Sequence, residues 1–218
     1  LSADMRSYSL PKLVEIGRKN FEHTLKYPSV WAFWWPRFLR IAEWFIDFSS
    51  SRREEIISIH SEVQGELQVK GKEGLFKLTA KADRIDILKD GGIRIIDYKT
   101  GMPPSKKEVL AGFAPQLPLE ATIAQEGGFR NITANKVTCL DYWRLGGGVP
   151  AGEIISAGVS PADLAVQAKD GLVALVRLFD DVRTPYEARP RPEAAPKYSD
   201  YEHLARVKEW SSSDGEEG

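Results

Sequence analysis

The sequence has almost none of the residues that define disulfide-rich and cysteine-metal proteins. It contains one cysteine, Cys139, so neither an intrachain disulfide nor a four-cysteine cluster can form. Cys139 lies in an apolar stretch, where we expect it to pack as a small hydrophobic residue. This cysteine usage is typical of a reducing compartment, and we expect a cytoplasmic location.

Long hydrophobic runs and an excess of either charge are also missing. No run of about 18 apolar residues occurs, so we predict no membrane span. The N-terminus lacks the basic and apolar segments of an export signal, and a start at Leu1 suggests a piece of a longer polypeptide. The formal net charge of −1 gives no global support to nucleic-acid binding. Contacts to DNA would have to come from local patches, namely Lys106 with Lys107, Lys81 with Arg84, and Arg37 with Arg40.

What remains is the composition of a globular protein. With 218 residues, 42% hydrophobic and 28% charged, the chain can bury one sizeable core. We predict one domain over residues 1–183, made of a helical lead-in over 1–52, a core over 53–145 and a C-terminal helix over 160–183. Residues 184–218 are predicted to form a Pro- and Arg-rich extension with an acidic, disordered end.

Apolar periodicity predicts an α/β protein with a mixed sheet flanked by helices. Three consecutive strands without crossover helices argue against a doubly wound parallel sheet. The apolar phase shifts just after Asp83, which predicts a β-bulge there. The predicted elements are helices over about 10–25 and 29–50, three antiparallel strands between about 56 and 100, a short capped helix after Ser105, a helix from Pro115 to Gln125, a strand over 135–145 and a helix over 160–183.

A tryptophan cluster at Trp31, Trp34 and Trp35 lies in the second predicted helix. Exposed aromatic rings can stack on nucleic-acid bases. An aromatic stripe at helical spacing more often packs in a core, and core packing is what we expect here.

Two acids and a lysine on neighbouring predicted strands form a candidate catalytic site. Side chains alternate along a strand, so Asp97 and Lys99 emerge on one face. Asp83, on the preceding strand, can supply a second carboxylate for Mg²⁺, and Lys99 can then orient water and offset phosphate charge. Asp-x-Lys alone is common as a surface pair.

The ordered set of motifs resembles the PD-(D/E)XK nuclease superfamily, in particular its RecB-like group with GxxDRID, DYKT and QxxxY patterns. The matching stretches are Ala80–Asp86, Asp97–Thr100 and Gln116–Glu120. The resemblance implies a restriction-endonuclease-like α-β-β-β-α-β core with an N-terminal helical pair and a C-terminal helix. It also implies Mg²⁺, with Mn²⁺ as a substitute, on Asp83, Asp97 and the Tyr98 carbonyl. Lys99 and Gln116 are then the other catalytic residues, with Gln116 positioning DNA or water.

Some residues depart from that pattern or stay open. Glu120 stands where the family has tyrosine, and its role, solvated or otherwise, is undecided. Asp86 should point to the opposite face and pair with Arg84. Glu62 and Glu66 are minor candidates as outer ligands. The family's His motif has no counterpart around His23, and we expect it to precede this chain.

Longer stretches resemble the nuclease domain of the AddB family, partners of an AddA-type subunit in bacterial helicase–nucleases. They are Phe33–Phe38, Gly112–Ala121 and the segment around Arg189–Trp210. That resemblance implies cleavage of single-stranded DNA with little sequence preference during double-strand-break repair. The iron–sulfur cluster of some AddB proteins cannot form with one cysteine.

Two alternatives remain open at this level. An inactive nuclease-like domain could scaffold a repair complex, or the charged pairs could be surface pairs of a structural α/β module. The sequence does not indicate strand polarity, endo- or exonuclease action, or whether one or two metals act.

Overall fold

The computed structural model describes residues 3–24, 26–158 and 160–187. The chain divides into two compact units, Leu1–Arg177 and Leu178–Gly218. In the described part of the second unit, Phe179 stacks on Tyr186 with ring centroids 4.8 Å apart. The rest of the predicted extension lies outside the described residues, and no helix in the described ranges is long and apolar enough to cross a membrane.

One mixed sheet organises the first unit, with strands paired in the order β1-β2-β3-β4-β5. The strands are β1 (Ile56–Lys70), β2 (Leu75–Leu88), β3 (Ile93–Lys99), β4 (Val137–Arg144) and β5 (Glu153–Ser156). The helices are α1 (Ala3–Asn20), α2 (Trp35–Ser51), α3 (Lys106–Leu110), α4 (Gln116–Gln125) and α5 (Pro161–Phe179), with a π-helical turn at Val30–Trp34 and a 3₁₀ turn at Arg53–Glu55. Neighbouring strands are antiparallel except β3 and β4, which run parallel. A parallel pair needs a crossover connection, and α3 and α4 supply it.

The predicted order of a helical pair, three antiparallel strands, helices, a strand and a last helix is therefore confirmed. The Ser105 side chain accepts from the Glu108 backbone N–H and Glu108 reaches back to Ser105, so α3 has the predicted capping box. The strand β5 was not predicted. It is four residues long and forms the sheet edge beside β4.

The two faces of the sheet are covered by different helices. On one face, α4 and α5 close the main hydrophobic core over β2, β3 and β4, and the Thr122 hydroxyl donates to the Ala165 carbonyl between the two helices. On the other face, the α2 rings Trp44, Phe45 and Phe48 surround Trp143 of β4 at centroid distances of 5.1 to 6.2 Å. Residues of β3 that alternate between these faces therefore meet two different environments.

The predicted bulge after Asp83 is wrong. The β1–β2 register runs evenly from Ser61 opposite Arg84 to Val63 opposite Ala82. The local irregularity lies on the partner strand instead, where Glu62 has a left-handed φ of 57°. Left-handed backbone breaks the pleat of β1 beside Asp83 without inserting a residue.

The predicted burial of the tryptophan cluster is only partly right. Trp35 is buried, but Trp31 and Trp34 are 47% and 55% exposed. The structure differs because residues 30–34 form a π-helical turn before α2 rather than its first α-helical turn. A turn with a different residue period moves the aromatic side chains off the stripe that an α-helix would bury.

Candidate active site

Asp83 and Asp97 lie on adjacent antiparallel strands and on the same face of the sheet. The register places Ile85 opposite Ile95, and Asp83 and Asp97 each lie two residues further along, toward the same sheet edge. Opposed residues of an antiparallel pair project to one face, as do residues two apart. The Tyr98 backbone N–H donates to Asp83 Oδ2 over 2.9 Å and joins this carboxylate to the end of β3.

Asp97 is the central residue of the cluster. It is 3% exposed, and each of its oxygens has one polar neighbour. The Gln116 side-chain amide donates to Asp97 Oδ1 over 2.8 Å, while Lys99 Nζ lies 2.6 Å from Oδ2 as an ion pair without hydrogen-bond geometry. The Lys99 side chain keeps a third of its surface exposed, so its ammonium group lies between a buried carboxylate and solvent.

Glu120, whose role the sequence leaves open, joins the same cluster and is buried rather than solvated. It is 2% exposed, and its Oε1 accepts from the Gln116 amide over 3.2 Å. Its Oε2 has no hydrogen-bond partner among the described residues. Burial raises the pKa of Glu120 to about 7, and the negative charges of Asp97 and Asp83 add to the shift.

Tyr142 closes the cluster from β4. The parallel register places it beside Asp97, and it is almost fully buried. Burial raises the pKa of Tyr142 to about 12, with the charges of Asp97 and Glu120 acting in the same direction. The phenol therefore stays neutral at any physiological pH and adds no charge to the acidic cluster.

The opposite face of the same strands carries a buried ion pair. Arg84 donates to both oxygens of Asp86 over 2.7 and 3.0 Å, and its guanidinium lies 5.0 Å from the Trp143 ring centroid. This confirms the predicted pairing of Asp86 with Arg84. Burial raises the pKa of the Tyr98 phenol, while a hydrogen bond with Arg84 opposes that rise. Tyr98 is thus held on the back of the sheet, which leaves Asp97 and Lys99 on the front.

The structure brings together Asp83, Asp97, Lys99 and Gln116, four residues that the sequence singled out, with the Tyr98 backbone between them. Glu62 and Glu66 instead form exposed ion pairs with Lys81 and Lys77 of β2. Sequence reasoning missed the burial of Glu120 and the position of Tyr142. The available signal was that Glu120 is the one charged residue among the ten of α4.

The donor set fits a hard divalent cation. Carboxylate oxygens are preferred ligands of Mg²⁺, which is commonly held by one or two carboxylates with water and substrate phosphate completing the shell. Asp97 Oδ2 is buried without a hydrogen bond. The described residues contain no group of three or more His, Cys, Asp or Glu side chains arranged to hold a metal by themselves. Asp83 and Asp97 are therefore the two carboxylates that we consider as ligands.

Comparison with known proteins gives one family and several distant relatives. The family model of the PD-(D/E)XK nuclease superfamily matches residues 12–204. An uncharacterized protein of Rickettsia bellii (strain RML369-C) is 35% identical over 117 residues, which are 54% of this chain and 14% of that protein. Uncharacterized protein RC0550 of Rickettsia conorii (strain ATCC VR-613 / Malish 7) is 33% identical over 127 residues, 58% of this chain and 15% of that protein. The chain thus spans about a seventh of the length of these curated relatives.

Among solved structures, the crystal structure of SSO0001 matches with a TM-score of 0.31 and 14% identity, covering 79% of this chain and 87% of that one. The family match and the mixed sheet flanked by helices confirm the predicted restriction-endonuclease-like fold class. The printed names of the two relatives carry no function, so the AddB resemblance stays a prediction.

Proposed function

This chain belongs to the PD-(D/E)XK nuclease superfamily, and from that membership we propose that it is the catalytic part of a metal-dependent deoxyribonuclease. The observation that carries the proposal is the cluster around Asp97, with Lys99 on one carboxylate oxygen, Gln116 on the other and Asp83 on the neighbouring strand. A scaffold has no need for a buried carboxylate paired in this way, because a buried charge costs stability unless it is compensated.

Asp83 and Asp97 are the residues that would hold Mg²⁺, or Mn²⁺ in its place, with the Tyr98 carbonyl as a further oxygen ligand. When bound, the cation would act as a Lewis acid on the scissile phosphate and lower the pKa of bound water. The carboxylate of Asp83 is oriented by the Tyr98 N–H, and that of Asp97 by the Gln116 amide. The orientation of both carboxylates is thus fixed by hydrogen bonds from the protein itself.

Lys99 is the group that would act on water and phosphate. Its side chain is one third exposed, while its ammonium group rests against buried Asp97. From that position it can orient a water molecule for attack and offset the charge that builds up on the phosphate oxygens. Gln116 acts as a positioning residue, since its amide bridges Asp97 and Glu120.

The substrate and the partner follow from the sequence resemblance rather than from the site. We propose single-stranded DNA as the substrate, delivered by an AddA-type helicase subunit during double-strand-break repair. The length of the relatives supports a larger assembly, because the matched segment is 14% of the Rickettsia bellii protein. The net charge of −1 agrees with this, since most of the electrostatic grip on DNA would then come from other parts of the assembly.

The test is cleavage of end-labelled single- and double-stranded DNA by the full-length protein in Mg²⁺, Mn²⁺ or EDTA. We expect metal-dependent cleavage that falls at least about 100-fold in Asp97→Ala, because even outer partners of metal ligands are typically worth 10- to 100-fold. The affinity for Mn²⁺, measured by calorimetry without DNA, should be lower in Asp97→Ala than in the parent. In Lys99→Met it should be the same as in the parent.

The matched control is Asp90→Ala, which removes a carboxylate from the β2–β3 turn, where it accepts from the Gly92 N–H. It should cleave and bind Mn²⁺ like the parent. Equal cleavage by Asp97→Ala and the parent would overturn the assignment. No cleavage by an intact, Mn²⁺-binding parent would instead favour the scaffold alternative.

A further inference from the structure

Three exposed aromatic rings lie together at the start of α2. Trp31, Phe33 and Trp34 are 47%, 68% and 55% exposed, all within the π-helical turn. Arg37, one turn further along α2, places its guanidinium 5.8 Å from the centroid of the Trp34 ring. We call these four residues the aromatic–arginine patch. Large rings exposed in a group, rather than singly, mark a surface that binds something.

One ring of the patch, Trp31, is held in place by stacking on the packed part of the fold. Trp31 stacks nearly parallel on buried Trp35, with an interplanar angle of 8° and centroids 6.0 Å apart. Trp35 in turn packs against Phe38 and the edge of Phe21. A ring held in this way loses little conformational entropy when a ligand stacks on it.

Arg37, the cation of the patch, has no acidic partner among the described residues, and neither has Arg18 beside it in the fold. Arg37 contacts the Trp34 ring, and Arg18 lies 5.5 Å from the Trp35 centroid; neither forms an ion pair within the described ranges. A guanidinium without an acidic partner, lying against an exposed aromatic ring, complements a polyanion that carries flat rings.

The patch is connected to the active-site end of the sheet through the loop after β4. The Leu145 N–H donates to the Lys99 carbonyl over 2.7 Å, two residues before Gly147. Gly147 lies against Arg37, since a Cβ added to Gly147 would be 2.8 Å from the Arg37 carbonyl oxygen. The Gly147 carbonyl also accepts from Arg40 Nε over 2.7 Å. Two residues span at most about 7 Å, so the backbones of Lys99 and Arg37 lie within roughly 15 Å.

We propose that the aromatic–arginine patch is a binding site for the unpaired bases and phosphates of single-stranded nucleic acid, which stack on Trp31, Phe33 and Trp34 while Arg37 contacts the backbone. The proposal rests on the proposed function and deepens it by naming the surface, near the end of β3, where a single strand would contact this chain. Duplex DNA hides its base faces and cannot use this surface, so the patch selects single strands. Stacking is tolerant of sequence because every base has a π face.

The test measures binding of labelled oligonucleotides to the full-length protein by fluorescence anisotropy. EDTA is present so that no cleavage occurs. Two labelled ligands of equal length are compared, an oligothymidine and its abasic counterpart, which carries the same phosphates without bases. We expect the parent to prefer oligothymidine, and the double substitution Phe33→Ala with Trp34→Ala to weaken oligothymidine binding about 5- to 100-fold, the range typical of base–aromatic stacking. Binding of the abasic strand should change little.

Two further variants separate stacking from other causes. Phe76→Ala removes another exposed ring, 43% exposed on β2, and should bind like the parent. Arg37→Gln should lower the salt dependence of oligothymidine binding by about one counterion. Melting temperatures check that the variants stay folded.

Unchanged oligothymidine binding by the double variant overturns the proposal. So does equal weakening toward both ligands, because the contact would then be purely electrostatic. Retained DNA binding with loss of a protein partner on size exclusion would identify the patch as a protein-docking surface and also overturn it. These outcomes are independent of Mg²⁺-dependent cleavage by the parent, so failure here is distinct from failure of the nuclease assignment.

Discussion

Replacing Glu120 with glutamine should make the stability of the chain less dependent on pH. Glu120 is 2% exposed, and one of its carboxylate oxygens has no hydrogen-bond partner among the described residues. Glutamine has nearly the same shape and keeps a carbonyl oxygen that can accept from the Gln116 amide. The substitution therefore removes the ionisation and leaves the packing in place.

The magnitude follows from the pKa. The carboxyl titrates at about 7 in the folded chain, compared with an ordinary value of 4.5, because burial disfavours its charged form. The folded state thus binds the proton more tightly than the unfolded state. The stability that the protonated Glu120 carboxyl contributes to the folded state is fully present below pH 4.5 and is lost as the pH rises through about 7. Between pH 5 and pH 8 the parent should lose about 2 to 3 kcal/mol of unfolding free energy that the Glu120→Gln variant does not lose.

Urea unfolding in EDTA at pH 5 and pH 8 measures this difference, since EDTA keeps divalent cations away from the acidic cluster. At pH 8, where Glu120 of the parent is charged, we expect the free energy of unfolding of the variant to rise relative to that of the parent. Glu73→Gln, in the exposed turn between β1 and β2, controls for the loss of one negative charge at the surface. A stability difference between parent and Glu120→Gln that is the same at both pH values would refute the reasoning.

Three substitutions away from Asp83 and Asp97 test the packing that supports the candidate site. Asp86→Ala leaves buried Arg84 without its partner and should cost about 3 to 5 kcal/mol in urea unfolding; a loss under 1 kcal/mol would mean that the pair is solvated. Gly65→Ala places a Cβ 2.5 Å from the buried ring of Phe129 and should lower the unfolding free energy by about 1 to 3 kcal/mol. An unchanged melting temperature in calorimetry would contradict this. Ser105→Ala removes the α3 cap and should cost about 1 kcal/mol; Ser105→Asp should restore most of it, and failure to do so would argue against capping.

Local signals were sufficient for the elements that carry the site. The strand β3 was predicted from an apolar run between a Gly-Gly turn and Lys99, and alternation then placed Asp97 and Lys99 on one face. The capping box at Ser105 marks the start of α3 because reciprocal side-chain and backbone hydrogen bonds between residues three apart define it. Such features depend on neighbouring residues in the chain, and no knowledge of tertiary packing is needed to find them.

The features that sequence reasoning missed depend on tertiary contacts. The strand β5 has only four residues and is stabilised by pairing with β4, so neither its length nor its pattern separates it from a loop. The sequence leaves the role of Glu120 open, because an average helix has one solvated face and one buried face. The helix α4 lies between the sheet and α5, where most of its positions are buried. The exposure of Trp34 depends on a π-helical turn that no residue pattern signals.

The position of Asp97 and Lys99 depends on the burial of both faces of β3. On the back of the sheet, the Tyr98 ring packs against Phe45 and Trp143 at centroid distances of 6.3 and 5.8 Å. A slip of β3 by one residue would exchange its faces, driving Tyr98 into the acidic cluster and Asp97 among the rings of α2. Both changes are costly, because one buries a charge in an apolar layer and the other removes aromatic packing. The aromatic layer behind the sheet therefore fixes the register that places Asp97 and Lys99 together on the front.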